Sequence, residues 1–136
     1  MTNKKKIAVV TGGAGFIGSH MVDLLLSKDY QVRIIDNLIG GHKKNLRHHS
    51  NNRHLKFNNI DICKLKPNNK LFKNADYVFH FAGIGDIVPS IENPSNYIMS
   101  NVQGTVKVLE ASRYSKVKKF IYAASASCYG INEKIT

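Results

Sequence analysis

The sequence has no tryptophan, only two cysteines, three prolines and nine acidic residues among its 136 positions. Each scarcity excludes something. Cys63 and Cys128 form no CxxC pair, and with the six histidines they show no zinc-ligand spacing, so neither a disulfide-stapled mini-protein nor a metal module is expected. Two isolated cysteines point instead to a reducing, cytoplasmic setting. No apolar run approaches the roughly 20 residues of a membrane-spanning helix. The run that follows the polar, basic segment Met1–Lys6 stops at Thr11, which gives no secretory signal. There is no repeat, no low-complexity block and no linker, and 43% hydrophobic residues suit one globular domain spanning 1–136.

The scarcity of acid leaves a surplus. Twenty Lys and Arg against nine Asp and Glu give a net charge of +11, which raises the question of a nucleic-acid partner. The positive residues are scattered from Lys4 to Lys134, however, and the densest stretch, His42–His49, contains no aromatic platform on which a base could stack. That stretch reads as a solvated loop, and no nucleic-acid partner is expected.

Hydrophobic patterning gives the fold class. Ile7–Val10 is a β-branched run ending in Thr11-Gly12-Gly13, a buried strand and a tight turn. Ile17, Met21, Leu24 and Leu25 have the spacing of one helical face over Phe16–Lys28. Strands follow at Gln31–Ile35, Leu55–Asn58, Asp76–Phe81 and Lys119–Ala123, with a brief helix over Asn68–Asn74. Asn93-Pro94 reads as a capped start of a helix whose Ile98, Val102, Thr105, Val106 and Leu109 share one face and which ends near Arg113–Ser115. Alternating strands and helices predict an α/β, Rossmann-type, doubly wound parallel sheet with helices on both faces.

The chemistry concentrates at strand ends. Gly13-Ala14-Gly15-Phe16-Ile17-Gly18 satisfies GxGxxG, and Gly12 extends it to GxxGxxG. Following a strand and opening a helix, such a loop lets backbone N–H groups approach a pyrophosphate, and the helix N-terminus adds partial positive charge. Asp36 ends the second strand about twenty residues later, where a carboxylate accepts from ribose hydroxyls and repels a 2′-phosphate. No Arg immediately follows it, so NAD is favoured over NADP. Arg33 precedes it, but strand alternation gives no reason to place its guanidinium at the ribose. Asp61-Ile62 follows the third strand, where Asp61 reads as a turn residue or as an acceptor for the adenine amino group.

Together these segments resemble the extended short-chain dehydrogenase/reductase family, in particular its nucleotide-sugar 4-epimerases. The resemblance rests on TGGAGFIGSH (Thr11–His20), Asp36-Asn37, Asp61-Ile62, HFAG (His80–Gly83), PSIENPSNYIMSNVQGT (Pro89–Thr105) and AASASCYG (Ala123–Gly130), in family order. It implies that Gly12, Gly15, Phe16, Ile17 and Gly18 hold the pyrophosphate and that Asp36 and Asn37 hold the adenosine ribose. Asp61 and Ile62 would lie at adenine, and Phe81, Ala82, Gly83 and Asn101 along the nicotinamide side. Ser125 would hydrogen-bond the reacting oxygen of a UDP-sugar. Ile39 and Gly40 stand where some epimerases carry hydroxyl residues, and Ala126 interrupts a stretch that is often serine-rich. The resemblance also implies a homodimer formed partly through the Asn93–Ser115 helix. Related 4,6-dehydratases and UDP-glucuronate decarboxylases are alternatives, as is a stand-alone NAD sensor.

Family chemistry oxidises the sugar C4 hydroxyl, and the base is the Tyr of a YxxxK pair. A free Tyr has a pKa of about 10 and needs a nearby positive charge to lower it. Tyr114 and Lys118 match the spacing but fall between a helix and the following strand, at the amino edge of the sheet, whereas ligands sit at the carboxyl edge. Glu133, four residues after Tyr129, has the wrong charge. The sequence given stops at Thr136, before the helix expected to carry the pair, so a truncated fold and no turnover by these residues alone are expected.

Overall fold

Alternation along Ile7–Thr11 sends Ile7 and Val9 to one face of a sheet and Ala8 and Val10 to the other, and all four are buried. A strand buried on both faces belongs at the centre of a parallel sheet. In the computed structural model, which describes residues 4–125, 128 and 130, this strand, β1, lies in the middle of five. The others are β2 (Gln31–Asp36), β3 (Leu55–Asn59), β4 (Tyr77–His80) and β5 (Lys119–Tyr122), ordered β3-β2-β1-β4-β5 and paired in parallel throughout. The expected Rossmann-type architecture is therefore present. Thr11 pairs with Ile35 on one side and His80 on the other, which aligns the carboxyl ends of β1, β2 and β4.

Each face has its own core. Helix α1 (Phe16–Ser27) presses Val22 and Leu25 onto Ala8, Val10, Val32 and Ile34. On the opposite face Val108 and Ala111 of α4 (Thr105–Tyr114) pack with Phe72, Leu65 and Ile62 against Val9, Ile35 and Val78. Each fully buried aliphatic side chain contributes about 1.5–3 kcal/mol.

The structure corrects several expectations. The inward face of α1 is Gly18, Ser19, Val22 and Leu25, whereas Ile17 and Leu24 are exposed. Close approach of Gly18 to the preceding loop sets this rotation. The Asn68–Asn74 segment is a single 3-10 turn, Lys70–Phe72, capped by the Asn69 side chain, which accepts from Leu71 N at 2.9 Å. His42–His49 is more than a solvated loop. A 3-10 helix over Lys43–His49 buries Leu46 in the α1 core.

The segment after β4 is broken into α2 (Ile87–Glu92), α3 (Pro94–Tyr97) and a π-helical stretch, Ile98–Gly104, that runs into α4. Asn93 makes no side-chain cap at φ −132° and ψ 60°. Its carbonyl accepts from Asn96 N instead. Of the apolar residues expected on one face, Thr105 turns inward, while Ile98, Val102, Val106 and Leu109 form an exposed stripe.

Candidate functional site

The chain leaves β1 toward β2 and β3, then crosses back to β4 and β5, so the strand order reverses at β1. Ligand crevices of open α/β sheets form at such a switch point, beyond the carboxyl ends of the strands. A cleft of about 340 Å³ opens there, lined by Gly12 and Gly15 after β1, Asp36 and Asn37 at the end of β2, and Gly83 to Asp86 after β4. Its size lies within the range of small-molecule sites.

The glycine loop forms one wall because it is thin. Gly12 sits at φ +68°, and a Cβ there would lie 2.7 Å from Ala82 N. At Gly18 a Cβ would lie 2.1 Å from Gly12 O, so this glycine brings the first turn of α1 against the loop. The helix begins without a side-chain cap and without an acidic residue in its first turn. A helix start of this kind offers N–H groups and partial positive charge to an anion. Phe16 and Ile17 flank it with exposed side chains.

Asp36 closes the other side and is 6% exposed. Its Oδ2 accepts from Ala14 N at 2.9 Å and its Oδ1 from Leu38 N at 2.8 Å. Each carboxylate oxygen retains a lone pair for a further donor. Asp36 thus ties the glycine loop to β2 while facing the cleft. Arg33 points elsewhere, donating to the carbonyls of Leu71 and Lys73 at 2.7 and 2.8 Å.

The remaining predicted residues fall into distinct places. Phe81, Ala82 and Gly83 line the cleft. So does Ile62, although its side chain is largely built into the α4 core. Asp61 caps its own turn, accepting from Cys63 N at 2.9 Å. Asn101 clamps the cleft wall: its Oδ1 accepts from Ile84 N at 2.8 Å and its Nδ2 donates to Ile84 O at 2.9 Å. Ser125 is exposed, three residues beyond β5, and its carbonyl accepts from Cys128 N. Ala126, Ser127, Tyr129 and Glu133 lie outside the described residues. Lys118 pairs with Asp76 at 2.7 Å, just before β4 and therefore at the amino edge, opposite the cleft.

A buried polar chain under the cleft was not anticipated. His80 is 1% exposed, with Nδ1 2.5 Å from Thr11 Oγ1 and Nε2 2.9 Å from Thr105 Oγ1. Thr105 donates its single hydroxyl proton to Asn101 O at 2.6 Å, so it must accept from His80 Nε2–H. In the neutral imidazole that burial favours, Nδ1 is then the acceptor, Thr11 donates to it, and Thr11 Oγ1 accepts from Ala82 N at 3.3 Å. Every proton of this hydrogen-bonded series is then assigned. Burial pushes the His80 pKa down to about 4. Thr11, His80 and Thr105 are far apart in sequence, and although each lies in a segment that carries the resemblance, nothing in those segments links them. Ile39, Gly40, Gly41, Ile60 and the Ile84–Asp86 segment also line the cleft without having been singled out as contacts.

A five-stranded parallel sheet with a glycine loop and a strand-end carboxylate at its switch point defines a Rossmann-type dinucleotide-binding unit. The thin loop, the uncapped helix start and the Asp36 carboxylate suit such a ligand. Comparison with known proteins narrows the class. The family described as NAD dependent epimerase/dehydratase matches residues 8–136, and the chain belongs to it. The bifunctional UDP-glucose 4-epimerase and UDP-xylose 4-epimerase 1 of Pisum sativum is 37% identical over 135 residues, covering 93% of this chain and 39% of the pea protein. The UDP-N-acetylglucosamine 4-epimerase of Methanobrevibacter ruminantium, solved with UDP-N-acetylmuramic acid, is 38% identical with a TM-score of 0.89, covering 98% of this chain and 42% of that one. UDP-glucose 4-epimerase from Brucella ovis, solved with NAD, is 32% identical with a TM-score of 0.83, covering 96% and 39%. The chain spans about two fifths of the length of each.

Proposed function

We propose that this chain is the NAD-binding portion of a nucleotide-sugar 4-epimerase acting on a UDP-hexose or UDP-N-acetylhexosamine. The observation that carries this reading is the cleft at the switch point, with the Asp36 carboxylate bonded to the glycine loop on one wall and the Asn101–Ile84 clamp on the other. The loop Gly12–Gly18 would hold the pyrophosphate on backbone N–H groups, with Phe16 and Ile17 lying over it. Asp36 and Asn37 would take the adenosine ribose, and Asp61 and Ile62 the adenine. Phe81, Ala82 and Gly83 would follow the cofactor toward its nicotinamide end, with Asn101 holding that wall in place.

When bound, NAD would supply the acceptor for the hydride that leaves sugar C4 as the C4 hydroxyl loses its proton and becomes a carbonyl. Ser125 would hydrogen-bond the reacting oxygen, but a serine hydroxyl is too weak a base to take the proton unaided. The Tyr114–Lys118 pair does not supply that base, since Lys118 is held by Asp76 at the far edge of the sheet. These 136 residues alone would therefore bind cofactor without turning over UDP-hexoses. The exposed stripe Ile98, Val102, Val106 and Leu109 is the surface we assign to subunit pairing.

Titration calorimetry of the chain with NAD and with NADP, at low and high salt, tests the cofactor reading. One-to-one, saturable NAD binding is expected, at least tenfold tighter than NADP and little changed by salt. Absence of NAD binding, or steeply salt-dependent DNA binding in its place, would overturn it.

A further inference from the structure

We propose that His20, Asp23, His48 and His49 form a surface site for a divalent transition cation, with zinc as the ion to test first. The residues come from two elements. His20 and Asp23 lie one turn apart on α1, and His48 and His49 end the Lys43–His49 3-10 helix. Asp23 Oδ1 lies 2.8 Å from His48 Nε2 and 2.7 Å from His49 Nε2, and the three donor atoms all fall within 4.8 Å of one another. His20 Nδ1 stands 3.9 Å from the other carboxylate oxygen of Asp23, in place to become a fourth ligand.

The convergence of the two imidazoles is the informative feature. Successive side chains of a 3-10 helix diverge by about 120°, because it has three residues per turn. His48 and His49 nonetheless aim the same ring nitrogen at one oxygen, with ring centroids 4.1 Å apart. Two imidazoles and a carboxylate, with an open fourth position, form a donor set suited to zinc. Tetrahedral ligands at zinc distances lie about 3.3 Å apart. The Asp23 oxygen needs to draw back from each imidazole by only about half an ångström to reach that spacing, and His48 and Asp23 are exposed enough to do so. The ligand set has no second carboxylate to offset nearby Lys and Arg, but Lys43 is drawn aside over the Phe57 ring.

The position gives the site a consequence. The same segment already holds the glycine loop, because His42 N and Asn45 Nδ2 both donate to Ala14 O, at 2.9 and 2.8 Å. A cation joining its far end to α1 would pin the segment from both sides.

The test uses the untagged full chain and zinc chloride, followed by titration calorimetry and by NMR of the histidine rings. One equivalent of zinc should bind and shift the His48 and His49 ring signals. D23N and the H48Q/H49Q double substitution should each weaken binding at least tenfold, while H54Q and C128S leave it unchanged. Unmoved His48 and His49 signals at tenfold excess zinc would overturn the proposal. So would full zinc affinity in D23N.

Discussion

Acidification isolates the buried His80. An unfolded histidine titrates near 6.5, whereas burial holds the His80 imidazole at about 4. Between those values the unfolded chain binds a proton that the native chain refuses, so stability present at pH 7 is lost as pH falls through 6.5 toward 4. The shift amounts to about 3 kcal/mol once pH is below 4, with about 1 kcal/mol already lost at pH 5.5. The carboxylates of Asp23, Asp29 and Asp76 are held below their ordinary value, so their own contributions fade only below about pH 5. The window from pH 7 to 5.5 therefore separates the imidazole from the acids. Urea denaturation of the wild-type chain and of H80Q at the two pH values gives the comparison. H80Q should be less stable at pH 7, by about 1–3 kcal/mol for the broken chain of hydrogen bonds. It should lose about 1 kcal/mol less than wild type on going to pH 5.5. Ring-nitrogen NMR adds a second reading, a neutral imidazole carrying its proton on Nε2. Equal pH slopes for the two proteins would refute the lowering of the His80 pKa by burial, and a proton found on Nδ1 would refute the proton order deduced from Thr105 and Asn101.

Two further substitutions probe the cleft walls. Gly18→Ala places a methyl 2.1 Å from Gly12 O, a backbone atom that cannot swing away. It should cost about 3 kcal/mol in urea denaturation and weaken NAD binding, because α1 must back away from the loop. Asn101→Ala removes both bonds to Ile84. The Ile84 amide should then exchange its hydrogen at least tenfold faster, with amides of β1 and β2 unaffected; equal protection would show that the wall stands without its clamp.

The central strands were legible in the sequence because a strand buried on both faces is rich in β-branched residues, as Ile7–Val10 is and as Gln31–Ile35 is at Val32, Ile34 and Ile35. The Gly12–Gly18 loop and Asp36 were legible because chemistry fixes both their residue types and their spacing. What could not be read was anything decided by close approach. The pattern Ile17, Met21, Leu24, Leu25 is a plausible apolar face, yet the contact of Gly18 with Gly12 turns Val22 inward instead. The hydrogen-bonded chain through His80 joins residues separated by 69 and 25 positions. No local signal announces it. Asn93, a good cap by residue type, is bent away by the junction between α2 and α3. The His48–His49 pair looked like solvated polarity because its partner, Asp23, lies 25 residues upstream on another element.

The π-helical stretch Ile98–Gly104 can be understood as a change of angular phase. In a regular α-helix each residue advances the chain by about 100° around the axis. The wider turn, which itself carries Asn101, absorbs the offset to the part that carries Val108 and Ala111. Within the wide turn the amide addresses Ile84, and downstream of it the apolar residues address the sheet. Deleting one residue here would leave a smoother helix with all its backbone bonds made, but Asn101 would be swung out of register with the cleft. For this segment the number of residues is as much a functional property as their identity.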